Sequence, residues 1–111
     1  MTAQEAKLFV GQLNQKATEE DVRQLFNFYG EVRHVNIVRK NGESTGSAFV
    51  TYPSSVEADA AILALHNKYN MERERPLQVS YAMRTGVVSP FGLAHSEKVS
   101  NENPSNPKLS R

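Results

Sequence analysis

Two phenylalanines stand where a folded sheet has no packing use for them. In residues 8–13, LFVGQL, alternation sends Leu8 and Val10 to one face and Phe9 to the other, with Gly11 next on the outer face. In residues 45–52, TGSAFVTY, the residues Ala48, Val50 and Tyr52 turn inward while Thr45, Ser47, Phe49 and Thr51 turn outward. A large aromatic among small or polar neighbours, on the face that should be wet, suits stacking against a flat ligand. That chemistry is binding. The chain has no cysteine, which removes disulfides, thiol catalysis and cysteine-based zinc sites. His34, His66 and His95 lie in unrelated contexts without ligand spacing, so neither a metal nor a cofactor is expected.

The elements that must hold these aromatics follow in order. Residues 7–13 make a first strand. Thr18-Glu-Glu-Asp21 resembles a capping box, and Val22, Leu25, Phe26 and Tyr29 recur at helical spacing until Gly30 stops the helix. Residues 32–39 make a second strand, with Val35 and Ile37 inward and Asn36 and Val38 outward. Asn41-Gly42 is a strong short hairpin signal, making the second and third strands antiparallel neighbours. Ser54-Ser-Val-Glu57 reads as a capping box, opening an alanine-rich helix with Ala58, Ala61, Ile62 and Leu65 on one side. Asn67 to Arg75 is a polar loop. Pro76 then opens an edge strand over 77–82, Leu77 and Val79 inward, Gln78 and Ser80 outward.

The order βαββαβ is the ferredoxin-like α+β arrangement: a four-stranded antiparallel sheet with two helices on one face. The other face, carrying Phe9 and Phe49, is left bare. Residues 1–6 are expected to be a disordered lead and 7–84 the domain. Residues 85–111, rich in Ser, Asn and Pro, are expected to be a disordered tail; removal of residues 92–111 is expected to cost little stability, and the cluster of Val87, Val88 and Phe91 is either idle tail or a flap over the bare sheet.

The 111 residues suffice for one domain, and a net charge of +1 does not by itself announce a polyanion partner. The distribution says more. Glu19, Glu20, Asp21, Glu57 and Asp59 fall at helix starts, whereas Lys7, Arg39, Lys40 and Arg84 fall at strand ends. No apolar run approaches 18 residues and the N-terminus lacks a signal-peptide layout, so an intracellular protein without membrane association is expected.

These stretches resemble the two short RNA-contacting motifs of the RNA recognition motif family. Against the longer one, K/R-G-F/Y-G/A-F-V-x-F/Y, Gly46, Ala48, Phe49, Val50 and Tyr52 fit, while Thr45 and Ser47 depart. KLFVGQL, TEEDVRQLF, GSAFVTY and AILALHNKYNM…RPLQVSYA resemble CELF/Bruno-like domains and the plant FCA-type domain. The resemblance implies single-stranded RNA as partner and a U-rich or GU-rich leaning. It implies a role in splicing, stability or translation of messenger RNA, in the nucleus, the cytoplasm or both. The RNA contacts it implies, taken with the outward positions above, are Lys7, Phe9, Gly11, Asn36, Val38, Arg39, Ser47, Phe49, Thr51, Gln78, Ser80, Ala82, Met83 and Arg84. A monomer is expected, without a small-molecule substrate, its helical face left for protein partners.

Two other classes compete. A protein-binding relative of the family would recognise a peptide through an Arg-x-Phe after the second helix; here that loop reads HNKYN. An acylphosphatase-like enzyme on the same fold would need an arginine-bearing phosphate loop after the first strand; here it reads QLNQKAT, so no enzyme is expected.

Overall fold

A computed structural model describes residues 5–71 and 75–102. Its elements are β1 (Ala6–Gly11), α1 (Glu19–Phe26), β2 (His34–Lys40), β3 (Glu43–Tyr52), α2 (Ser55–Leu65), β4 (Gln78–Tyr81) and α3 (Pro90–Glu102). The four strands form one antiparallel sheet in the order β2-β3-β1-β4. The first six elements are the βαββαβ arrangement that alternation and helical spacing imply. Residues 1–4 of the expected lead, loop residues 72–74 and residues 103–111 of the expected tail lie outside the described residues, whereas Ala6, placed in that lead, is a buried residue of β1 paired with Tyr52.

One core cluster takes the inward side of every strand and the apolar stripes of α1 and α2. Leu8, Val10, Val50, Tyr52 and Val79 meet Val22, Phe26, Ala58, Ala61, Ile62 and Leu65 there. Both helices therefore cover the same face. The Tyr52 hydroxyl crosses this core to donate to the Phe26 carbonyl at 2.6 Å. Burial, foremost, holds that phenol above the ordinary tyrosine range.

Several local signals act as expected. Thr18 Oγ1 accepts the Asp21 N–H while Asp21 Oδ2 accepts the Thr18 N–H, a reciprocal box at the start of α1. Asn41 and Gly42 carry φ of 54° and 82°, the left-handed pair that a tight two-residue hairpin needs.

Others act differently. Helix α1 ends at Phe26, with Asn27 capping it in the right-handed region, so Gly30 is not its stop. A Cβ at Gly30 would fall 2.6 Å from a Glu57 carboxylate oxygen, the one that accepts the Glu31 N–H. The glycine is there for close approach to α2. Ser54 does not cap α2 through its side chain; its hydroxyl donates to Glu57 Oε1 instead, because Glu57 is drawn toward Glu31.

The largest difference lies after β4. Part of the expected tail is helix α3, packed along the outer edge of β4. Its buried stripe is Gly92, Ser96 and Val99, at the i, i+4, i+7 spacing of one helical face. These small residues give no apolar periodicity, which is why the sequence reads as disordered. The connection is also fixed: Ala82 N–H donates to Lys7 O and Gly86 N–H to Glu5 O, extending the pairing with β1. Ser89 then accepts the Gly92 N–H and donates to Asp59 Oδ1, which also receives the Tyr81 hydroxyl. Val87 and Val88 pack against the core, so this segment seals the sheet's edge and does not form a flap over its open face.

Candidate nucleic-acid interface

Strand register turns the open face into three cross-strand rows. The central row runs Asn36–Phe49–Phe9–Ser80 through directly opposed pairs on β2, β3, β1 and β4. One flanking row runs His34–Thr51–Lys7 and meets Ala82, whose N–H donates to the Lys7 carbonyl. The other joins Val38 to Ser47 on one side and Gly11 to Gln78 on the other.

Phe9 and Phe49 sit at the centre, on the two interior strands, both half-buried. Their centroids lie 5.8 Å apart with the planes inclined at 64°, an edge-to-face pair. Lys7 Nζ lies 4.8 Å from the Phe49 centroid, a cation over an aromatic face. Gly11 leaves room for Phe9: a Cβ there would lie 3.4 Å from the nearest atom of that ring. The site thus has two rings oriented by each other, a positive charge beside them, and a floor without side chain. Such a surface can stack two flat groups and draw an anionic backbone across them.

The other expected contacts divide. Asn36 is exposed and Val38 and Ser47 are half-buried, all in register with the aromatic pair. Gln78 reaches the edge, where its Nε2 donates to Asn67 Oδ1 at 3.3 Å. Met83, 63% exposed, and Arg84 stand on the connection beside Lys7. Thr51 and Ser80 are 9% and 1% exposed, and Ala82 and Gly11 are also buried. Short side chains between longer cross-strand neighbours are sheltered, so at Ser80 and Ala82 little beyond backbone faces a ligand.

Arg39 departs from the expected site. The register shifts between Val38 and Arg39: Val38 opposes Ser47, but Arg39 opposes Ser44. Thr45 and Gly46 are bulged out, with Gly46 at φ 84°. Arg39 instead forms a bidentate pair with Glu19 in the first turn of α1, at 2.7 and 3.1 Å. The guanidinium hydrogen bond, foremost, holds the Glu19 carboxyl down at about 2.

Sequence reasoning missed His34, exposed at the head of β2 in the row of Thr51 and Lys7. Strand parity alone puts it outward with Asn36 and Val38. It also missed a cleft beside Gln78, lined by Gln12, Asn67 and Arg75 among others. Loop residues brought together by folding leave no periodic trace. Among the described residues no group of His, Asp and Glu is arranged to hold a metal.

The fold and this face together define a sheet-surface binding module. The chain belongs to the RNA recognition motif family, whose model matches residues 8–75. It is 48% identical over 79 residues to the flowering time control protein FCA of Oryza sativa subsp. indica and 42% identical over 79 residues to that of Arabidopsis thaliana. Each match covers 68% of this chain and 11% of the relative, so the chain spans about a tenth of their length. A solved Sxl-lethal protein/RNA complex superposes with a TM-score of 0.65 at 34% identity, covering 69% of this chain and 47% of that one.

Proposed function

We propose that this domain binds single-stranded messenger RNA with a leaning toward U-rich or GU-rich stretches, and that it serves post-transcriptional regulation (splicing, stability or translation) inside the cell, in the nucleus, the cytoplasm or both. The observation that carries the reading is the Phe9–Phe49 pair, half-exposed at the centre of an uncovered sheet face under the Lys7 ammonium. Single-stranded RNA suits it because free bases can splay onto aromatic rings. Family membership and the RNA-bound neighbour support the same partner. The domain acts as a monomeric binding module, without catalysis.

Magnitudes bound the affinity. Stacking contributes roughly 1–3 kcal/mol per base, so two rings give about 2–6. A micromolar complex requires about 8 kcal/mol. The remainder falls to Lys7, Arg84, Asn36, Gln78 and the backbone near Ala82. Chemical-shift mapping with a short uridine-rich oligomer tests the reading. Shifts concentrated on residues 7–11, 34–38 and 47–51 are expected; shifts concentrated on α1 and α2 would contradict it.

A further inference from the structure

Beyond the edge of the aromatic face, where β4 ends the sheet, lies a cleft of about 360 Å³. That is near the lower end of ligand-sized pockets, roughly 300–1,000 Å³. Gln12, Asn67 and Gln78 supply side-chain amides, Arg75 a guanidinium and Glu102 a carboxylate, with His66 between them. The wall is built by elements far apart in sequence: the end of β1, the loop after α2, the start of β4 and the last described turn of α3.

Two independent features mark this cleft as more than a gap. Gln12 holds φ 63° and Asn67 holds φ 59°. Asparagine tolerates the left-handed region, but glutamine does so at a cost on the order of 1 kcal/mol, and such strain gathers at ligand-binding positions. The second is continuity. Gln78 lines the cleft and pairs with Gly11, directly below the Phe9 ring, so a strand lying over Phe9 has this cleft within one nucleotide's reach. Gln78 is also oriented in advance: its Nε2 donates toward Asn67 Oδ1 and the carbonyls of Pro76 and Leu77.

We propose that this cleft takes one further base of the bound strand and that its chemistry selects guanine. The inference rests on the RNA-binding reading of the sheet and adds a specificity site outside the sheet face. Guanine presents two adjacent donors, N1–H and the N2 amine, matching the two oxygens of one carboxylate, which Glu102 supplies. It presents O6 and N7 as acceptors, matching the donors of Arg75 and the Gln12 amide. Adenine sets a ring-nitrogen lone pair against the carboxylate. Uracil offers it a single N–H. Cytosine offers it one amine beside a ring-nitrogen lone pair, so guanine alone sets two adjacent donors against the carboxylate and two acceptors against the opposite wall.

The experiment uses the full chain, a uridine octamer, and its variants carrying guanosine, adenosine or inosine at either the first or the last position. Guanosine at one end is expected to tighten binding about fivefold or more over adenosine at that place. Inosine, lacking the N2 amine, is expected to lose most of that gain. Glu102→Gln is expected to abolish the preference while leaving uridine-octamer affinity unchanged. Equal affinity for guanosine and adenosine at both ends overturns the proposal, as does a preference that survives Glu102→Gln. Guanosine monophosphate keeps the two readings separable: it is expected to shift the amides of Gln12, Asn67 and Gln78 more than adenosine monophosphate does. No such difference, with the uridine octamer still bound, sinks the cleft and spares the sheet. Monophosphate selectivity without octamer binding sinks the sheet reading and leaves the cleft.

Discussion

Replacing Gly92 by alanine sets two effects of opposite sign against each other. Glycine is a poor helix former, so alanine in α3 should stabilise the isolated helix by up to about 1 kcal/mol. In the folded domain the added Cβ would come closer than 3.0 Å to two ring carbons of Tyr81. That ring cannot swing clear. It is wholly buried and its hydroxyl is held by Asp59 Oδ1 at 2.8 Å, which also holds Ser89 at the foot of α3. Overpacking of this kind costs about 1–3 kcal/mol. The helix must therefore lift from β4, and the net loss should be on the order of 1–2 kcal/mol. For a domain of this size each kcal/mol lowers Tm by roughly 4–8 °C. Thermal melts by circular dichroism, with hydrogen exchange read along residues 93–102, give both quantities. The expected result is a lower Tm and faster exchange in α3 while β1 and β3 stay protected. A Tm equal to or above that of the parent, with α3 amides still protected, would refute the packing of α3 on Tyr81.

Other outcomes follow from the same geometry. Arg39→Ala should change uridine-octamer affinity by less than about twofold, because the guanidinium is engaged with Glu19; Lys7→Ala should weaken binding and flatten the salt dependence by roughly 0.7 in log–log slope. A large loss with Arg39→Ala would show that the pair opens to meet RNA. Ser47→Phe places a third ring two residues before Phe49, and two effects are separable. If Ser47 marks only a missing platform, every sequence should bind tighter by about 1–3 kcal/mol. If it forms a recess that reads a base edge, preferred RNA should weaken and the gap to scrambled RNA should narrow, and this second result is the one expected. Acid should loosen α3. Burial, foremost, and then neighbouring His66 and Lys98 lower the His95 imidazole to about 4, opposed by Asp59, while burial also lowers His66. Above about pH 6.5 both docked and undocked states are neutral at His95; below it the undocked state takes up the proton first. Docking should therefore weaken as pH falls from about 6.5 toward 4, visible as faster exchange in α3, and exchange unchanged across that window would contradict it.

The aromatic face was legible because strand parity is a backbone property. Once Leu8, Val10, Val50 and Tyr52 must face a core, Phe9 and Phe49 have no choice but the other side. Asn41-Gly42 fixed the β2–β3 hairpin by the same economy, since few residue pairs accept two left-handed conformations. What parity does not carry is an insertion. The bulge at Thr45 and Gly46 shifts the register once, and Arg39 goes to Glu19 instead of the open face. Helix α3 was illegible for another reason. Its contact is made by the absence of side chain at Gly92 and the smallness of Ser96, complementary to a Tyr81 ring that only folding brings near. Gly30 misled in the same way, a close approach to Glu57 that reads like a helix stop.

Whether the edge-to-face pair of Phe9 and Phe49 on the bare sheet binds RNA is tested most directly by fluorescence anisotropy of a uridine-rich octamer against the parent chain, Phe9→Ala, Phe49→Ala and the double variant. Each single change should weaken binding by about 1–3 kcal/mol, with melting temperatures close to that of the parent, because neither ring is part of the core. The double variant should lose less than the sum, since each ring orients the other edge-to-face. Affinity unchanged in both single variants, with the fold intact, would contradict the account.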